Sequence, residues 1–485
     1  MFSQHPDHAR APFWQKQPLI LTAGELEECF LMWKDLGADE VMWDWEGKLV
    51  DEAVIERLLG EHLPFFKRHP LGKELFLTFR VPNSTVEPGY RLGRAFMVML
   101  SAAETARHVG LPAPLFEVIL PMTENSAELL ALHEGYARFA DAADATFGGK
   151  RAERRFEVIP LFERVRTIFD SAKIVRHYAN TLAKRSGRKL QYIRPFVARS
   201  DPALNSGIVA TTLAIKRALS EFARFSEETG IETHPIIAPG SLPFRGYLTP
   251  RTARQFADEF KGVRTVVIQS AFRYDYPKRD VIRGIRELKA RLGEKPAAIT
   301  PAESRVLSRS ISAFEHAYRA ALREAAPPIQ ELAPQVPRRR ERMQHIGLFG
   351  YSRGVGSLRL PRAIGFTAAA YSLGIPPELF GIGRAIARAK REGTFPLIEE
   401  RYVNLGESLR EAGRFFRRAS LSELRLSGLA KDVELLEEHS GPIGPDDAAS
   451  REHERIAGAI VRALRRGKSA TRLIEEAALI RKALG

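Results

Sequence analysis

The sequence is poor in cysteine: Cys29 is the single one in 485 residues, which excludes a disulfide framework and any zinc site built from cysteine pairs. Long apolar runs are missing too. The longest uncharged stretch, from Ala363 to Pro377, is interrupted by Gly, Ser, Thr and Pro and falls short of the roughly 20 apolar residues a membrane helix needs. The opening residues MFSQHPDHAR have neither a basic start nor an apolar stretch, so no secretory signal is expected. Acidic residues are in deficit, 59 Asp and Glu against 74 Lys and Arg, for a net charge of +15. Hydrophobic residues at 44% and charged residues at 27% exclude a disordered, collagen-like or coiled-coil chain. The expectation is a reduced, cytoplasmic protein without a membrane segment, in which Cys29 is a small buried residue on an amphipathic helix.

The basic excess is carried largely by arginine. It fits a nucleic-acid binder, and equally an enzyme that gathers anions in one pocket, because guanidinium forks match carboxylate and phosphate geometry. The densest run, Arg338-Arg339-Arg340-Glu341-Arg342, follows a Pro-rich link at Ala326-Pro327-Pro328, Pro334 and Pro337 and reads as a solvated linker.

Short apolar, β-branched runs alternate with amphipathic stretches. The expected strands are Glu40 to Trp45, Leu75 to Val81, Phe116 to Met122, Phe156 to Phe162, Leu190 to Ala198, Pro235 to Ala238, Thr265 to Ala271 and His345 to Tyr351. Helices are expected over Ala23 to Leu36, Tyr90 to Val109, Ser126 to Ala140, Ser206 to Thr229 and Arg279 to Leu292. Eight continuous apolar strands joined by helical crossovers are the pattern of an α/β fold, a (β/α)₈ TIM-type barrel with additional helices. That barrel is expected over residues 1–375. Residues 376–485 read as an all-helical C-terminal region, broken at Gly441 to Asp447 and packed on the barrel or at a subunit contact.

Polar residues stand where each apolar run ends: Asp44 and Glu46, Arg80 and Asn83, Glu163, Arg199 to Asp201, Arg245, Gln269 and Arg273, Ser352 and Arg353. In a barrel these ends converge on the face that carries active sites. Glu163 and Asp201, on neighbouring strands and without Cys or His partners, suit Mg²⁺ or Mn²⁺ completed by water and substrate oxygens; a buried ion-pair network closing the barrel is the other reading. Arginines at 80, 245 and 353 around that pair are able to clamp carboxylate and phosphate groups. Gly354 to Ser357 reads as a lid or as a plain surface turn.

Several words in the chain are long and unusual: Ser3-Gln4-His5-Pro6-Asp7, MWKDLGADEVMWDWEGK from Met32 to Lys48, ARSDPALNSG from Ala198 to Gly207, GSLPFRG from Gly240 to Gly246, QSAFRYDY from Gln269 to Tyr276, and MQHIGLFGYSRG with LPRAIGFTAA between Met343 and Ala370. With them the chain resembles archaeal-type phosphoenolpyruvate carboxylase from Gln4 to about Gly381. The resemblance implies that phosphoenolpyruvate and bicarbonate give oxaloacetate and phosphate, with Mg²⁺ or Mn²⁺ and no biotin, in a homodimer or homotetramer. It also implies Glu163 and Asp201 as metal ligands, His5, Arg245 and Arg353 as catalytic groups, and Arg80, Arg362, Gln269 and Arg273 as substrate-binding groups. His8 stands where the family leads one to expect asparagine, and Leu204 where its longer branch has lysine. The chain also lacks that branch's Gln-Asn-Thr-Gly terminus, which bears on any carry-over of its feedback-inhibitor site. Two other classes stay open: a metal-dependent barrel lyase or aldolase acting on an oxo-acid, which would need no His5, and a nucleic-acid binder with a basic patch away from the strand ends.

Overall fold

The computed structural model describes residues 1–46, 50–147, 153–341, 358–485 and the backbone of 354–355. Nine of its strands are β1 (Glu40–Asp44), β2 (Phe76–Arg80), β3 (Glu117–Leu120), β4 (Glu157–Phe162), β5 (Tyr192–Ile193), β6 (Phe196–Ala198), β7 (Glu232–Thr233), β8 (Ile236–Ala238) and β9 (Thr265–Val266). Seven of these form one parallel sheet in the order β1-β2-β3-β4-β6-β8-β9, while β5 and β7 pair separately. The helical crossovers between sheet strands include α3 (Gly89–His108), α4 (Ser126–Phe147), α5 (Val165–Ser186) and α7 (Ile208–Thr229). Both faces of the sheet are apolar and covered. Helices press on one face, and on the other Met42, Ile119, Ile159, Leu161, Phe196, Ile236 and Val267 meet in a single cluster. The sheet curls, so that one short segment reaches both of its edges.

The two edges of the curled sheet are stitched by the same short segment. Phe2 bridges in parallel to Val41 and to Ile268, with Phe2 N–H on the Glu40 carbonyl at 2.8 Å and Ser3 N–H on the Ile268 carbonyl at 3.1 Å. The expected eighth strand, His345 to Tyr351, lies outside the described residues.

Seven expected strands occur, with two corrections. The run from Leu190 to Ala198 splits into β5 and β6 around Arg194-Pro195, because Pro195 has no N–H to give a ladder. The run from Thr265 ends its ladder at Val266, and Ser270 already starts α9 (Ser270–Tyr274). The helix expected over Ser206 to Thr229 occurs as α7, and a short helix not expected from the sequence, α6 (Ser200–Ser206), precedes it; the two break at Gly207, whose φ of 79° is left-handed and whose Cβ would stand 2.9 Å from the Tyr318 ring. That break leaves α6 as a separate short helix at the end of β6, carrying Asp201.

The linker reading of the arginine run is overturned at Arg339 and Arg340; Arg338 is exposed and Arg342 lies outside the described residues. α11 (Pro301–Leu332) runs straight through Pro327 and Pro328. Arg340 is 3% exposed and pairs with Glu25 at 2.9 Å and Glu28 at 2.7 Å on α1 (Glu25–Lys34). Arg339 pairs with Glu475 at 3.0 Å and donates to the His8 carbonyl. A charge run reads as solvated only while its partners, between 136 and 331 positions away, are unknown.

Beyond Pro376 the described chain is helical, ending in α18 (Ala448–Arg465) and α19 (Thr471–Arg481), which pack on α12 (Ala363–Ser372). Gln255 and Glu259, from the sheet-bearing part of the chain, bond Asn404 in this region. Cys29 is buried on α1. Among the described residues no helix is long and apolar enough to cross a membrane.

Candidate active site

The C-terminal ends of the sheet strands carry a charged ring with the interior cluster beneath it. Arg80, the last residue of β2, is 8% exposed. Its Nε and one Nη meet both oxygens of Asp44 at 2.8 Å, and its other Nη meets Glu46 at 2.8 Å. Burial opposes its charge, but Asp44, Glu46 and Glu163 together push the guanidinium pKa above its ordinary value.

Glu163 follows β4 directly and is buried. Asp201 sits in the first turn of α6, half-buried. Their strands are neighbours, with Phe162 opposite Val197. Each carboxylate acts electrostatically on one buried arginine, Glu163 on Arg80 and Asp201 on Arg245. Among the described residues no three His, Cys, Asp or Glu side chains gather as a metal cluster. Two carboxylates of hard oxygen at adjacent strand ends fit a divalent cation that keeps several waters, the habit of Mg²⁺, and do not fit a caged structural ion.

Arg245 is 1% exposed and every one of its nitrogens is engaged. Nε donates to Ser200 Oγ at 3.1 Å, one Nη to Asp7 at 3.1 Å and to the Gly485 oxygen at 2.6 Å, and the other Nη to Gln269 Oε1. Burial pushes its pKa down, against the pull of Asp7 and Asp201. The turn that presents it needs Gly240, because a Cβ there would stand 2.8 Å from the guanidinium carbon. Arg199, whose role the sequence leaves open, donates to the Phe244 carbonyl at 3.1 Å and so braces that turn.

The N-terminal segment brings His5 to the same end. Its Nδ1 meets Ser3 Oγ at 2.8 Å, and its carbonyl accepts from Ser270 Oγ at 2.6 Å. Asp7 is fully buried and accepts from Ala271 N–H at 2.7 Å. Two residues further on, Asp275 accepts from the N–H groups of Ala9 and Arg10 at 2.8 and 2.7 Å. The Leu484 N–H donates to the Asp7 carbonyl at 2.6 Å, so segments from both halves of the chain meet at Arg245.

The other expected site residues stand as follows. Gln269 is part of the Arg245 hub. Arg273 turns to the N-terminal segment, donating to the Ser3 carbonyl at 2.7 Å and pairing with Glu28 at 3.3 Å. Arg362 caps α12, which packs on α6. Arg353 lies outside the described residues. Of the expected lid, Gly354 and Val355 pair antiparallel with Leu358 and Arg359, while Gly356 and Ser357 are also outside. Asp7, Ser270 and Gly485 were not singled out from the sequence; the first two lie inside the unusual words, which is the signal that points to them.

His8 gives the segment a pH dependence. It is fully buried between Ser270 Oγ at 2.9 Å and the Pro18 carbonyl at 2.8 Å, and burial pushes its pKa down to about 3. The unfolded chain takes up this proton near about pH 6.5, so the stability that neutral His8 confers is complete above that value and is lost as pH falls toward about 3. Asp275 acts in the opposite sense: burial raises its pKa to about 7, so its contribution falls as pH rises from about 4 to about 7. His8→Asn removes the first term alone. Its thermal midpoint is expected to gain on that of the parent as pH is lowered from 7 to 5, and a pH-independent gap between the two melting curves would refute the assignment.

The whole chain, residues 1–485, matches the family profile described as phosphoenolpyruvate carboxylase. It is 39% identical to the phosphoenolpyruvate carboxylase of Methanothermobacter thermautotrophicus, over all of this chain and 99% of that one. Identity is 37% to the enzyme of that name from Oenococcus oeni, covering 100% of this chain and 98% of the relative. To the one from Pyrococcus horikoshii it is 39%, covering 94% and 95%.

Proposed function

The chain belongs to the phosphoenolpyruvate carboxylase family, and from that premise we propose that it carboxylates phosphoenolpyruvate with bicarbonate to oxaloacetate and phosphate, at the ends of the sheet strands. As a carboxy-lyase of this kind it fixes carbon dioxide. The reading rests chiefly on one observation: Glu163 and Asp201 follow the C-terminal ends of two neighbouring strands, each acting on one buried arginine hub, beside the segment that carries His5.

Glu163 and Asp201 would hold Mg²⁺ or Mn²⁺, which when bound supplies Lewis-acid stabilisation of anionic oxygens. The chain's own groups do the rest. Bicarbonate attacks the phosphoryl group of the substrate, giving carboxyphosphate and the enolate of pyruvate, and carboxyphosphate then yields the CO₂ that the enolate captures. Because carboxyphosphate already carries the carboxyl group in activated form, the scheme needs no biotin. Arg80 and Arg245 have their donors committed to Asp44, Glu46, Asp7, Gln269 and Gly485; they supply a fixed positive field and hold the carboxylates in register. Direct bidentate grip on the substrate's phosphate and carboxylate falls to Arg353 and Arg362. His5 takes the carboxyl proton of carboxyphosphate, a transfer for which an imidazole is the commonest side chain.

Closure of the barrel by the Phe2 segment, with the described sheet, supports the (β/α)₈ reading over residues 1–375. The helical region 376–485 then serves as a buttress that delivers Gly485. Cytoplasmic location agrees with the single buried cysteine, and a homodimer or homotetramer is the assembly proposed.

Oxaloacetate and phosphate, measured together with and without bicarbonate, test the reaction: both are expected only with bicarbonate, and an enzyme that releases no phosphate but cleaves an oxo-acid would favour the aldolase class. His5→Asn separates the two halves. Phosphoryl transfer needs positioning and charge neutralisation more than an imidazole, so this variant is expected to release phosphate in a bicarbonate-dependent way and to yield pyruvate in place of oxaloacetate. Undiminished oxaloacetate would make His5 a structural histidine.

A further inference from the structure

A base that acts in only one half of a reaction must be held by groups whose loss is felt in that half. His5 is fixed twice. Its ring meets Ser3 Oγ through Nδ1 at 2.8 Å, which sets the ring's orientation. Its carbonyl sits 2.6 Å from Ser270 Oγ and accepts from the Ser270 N–H at 3.3 Å. Both serines are rooted. Ser3 N–H bonds the Ile268 carbonyl and the Ser3 carbonyl takes a bond from the buried Arg273. Ser270 is fully buried at the first position of α9.

Ser270 is also overcommitted. A hydroxyl has one proton and two lone pairs. Ser270 Oγ accepts from Asp7 N–H at 2.9 Å and faces three acceptors, the His5 carbonyl, Asp7 Oδ1 at 3.1 Å and His8 Nδ1 at 2.9 Å. His8 Nε2 donates to the Pro18 carbonyl, so in neutral His8 the Nδ1 atom is an acceptor. Asp7 Oδ1 already has the Ala271 N–H. The shortest of the three contacts is to His5, which is where the proton belongs. One buried hydroxyl therefore sets the backbone position of His5 and ties it to Asp7, hence to Arg245.

We infer that Ser3 and Ser270 are positioning residues for the carboxyl-transfer half of the reaction, Ser3 by orienting the His5 ring and Ser270 by fixing its backbone. The inference rests on the proposed role of His5. With either hydroxyl gone, the imidazole is misplaced when carboxyphosphate must lose its proton. The enolate then takes a proton from water and leaves as pyruvate, while CO₂ and phosphate are released, so the net change is hydrolysis of phosphoenolpyruvate to pyruvate and phosphate.

The test is to measure phosphate, pyruvate and oxaloacetate side by side in the full-length protein for Ser3→Ala, Ser3→Thr, Ser270→Ala and His5→Asn. In both alanine variants oxaloacetate is expected to fall about tenfold, the scale of a sub-ångström misplacement of a reacting group. Phosphate release and the KM for phosphoenolpyruvate stay within about threefold of the parent, and pyruvate makes up the difference. Ser3→Thr, which keeps the hydroxyl, restores the oxaloacetate yield. Amide exchange at Asp7, whose N–H rests on Ser270 Oγ, is expected to quicken in Ser270→Ala. If that variant does not fold, Ser3→Ala, on the strap between the two sheet edges, carries the test. Parallel loss of phosphate and oxaloacetate, or an unchanged product ratio, with His5→Asn still diverting to pyruvate, overturns the positioning role and leaves the reading of His5 intact. Continued oxaloacetate from His5→Asn overturns both.

Discussion

Asp201→Asn is expected to abolish carboxylation, with turnover down at least about 10³-fold, while the protein stays folded. The size follows from the charge. Lewis-acid stabilisation of an anionic transition state is worth several kcal/mol, and each 1.36 kcal/mol is about a factor of ten in rate. An amide oxygen is a far weaker ligand than a carboxylate, and Glu163 would be left as the sole protein carboxylate on the ion. The fold survives because the side chains are isosteric and Asp201 is half-buried at the start of a short helix; the bond it makes to Asn205 Nδ2 uses its backbone carbonyl, 3.1 Å away. Mn²⁺ binding followed by electron paramagnetic resonance, circular dichroism and the bicarbonate-dependent assay are the measurements. Parental turnover at ordinary Mg²⁺ would remove Asp201 from the metal site.

The part of this site that the sequence discloses is the part made by strand ends. Asp44, Arg80, Glu163 and Asp201 each end or closely follow an apolar run, and in a parallel sheet the ends of consecutive runs share one rim. Partners of long sequence separation are not disclosed. Arg194 illustrates this at the opposite rim: it pairs with Glu40 at 2.6 Å and with Glu117, the first residues of β1 and β3, and its own place between two short strands gives no hint of it. The segment that stitches the two sheet edges is invisible for the same reason, since one residue bridged on either side carries no period to detect. The arginine run at 338–340 misleads because composition says charge and only tertiary structure supplies Glu25, Glu28 and Glu475. Gly485 is the extreme case, a residue with no side chain whose contribution is a single oxygen on Arg245.

That oxygen, with Asp7, makes Arg245 the residue whose replacement should do the widest damage. Arg245→Met removes the one group that joins Ser200 beside Asp201, the N-terminal segment, Gln269 and Gly485. Asp7, fully buried, would keep the Ala271 N–H but lose its cation. Breaking a buried pair from one side costs about 3–5 kcal/mol, because the remaining charge stays out of water. Activity should fall further than stability, at least about 10³-fold, the loss of one preorganised donor compounded by release of the His5 segment. Arg245→Lys separates charge from geometry. A point charge can still neutralise Asp7, so much of the stability should return, but an ammonium cannot hold Ser200, Asp7, Gln269 and Gly485 in a planar fork, so oxaloacetate formation should not. Chemical denaturation and the three-product assay on both variants decide it. A lysine variant with parental oxaloacetate formation would show that Arg245 acts through charge alone, and a methionine variant of parental stability would show that the buried pair with Asp7 contributes nothing to the fold.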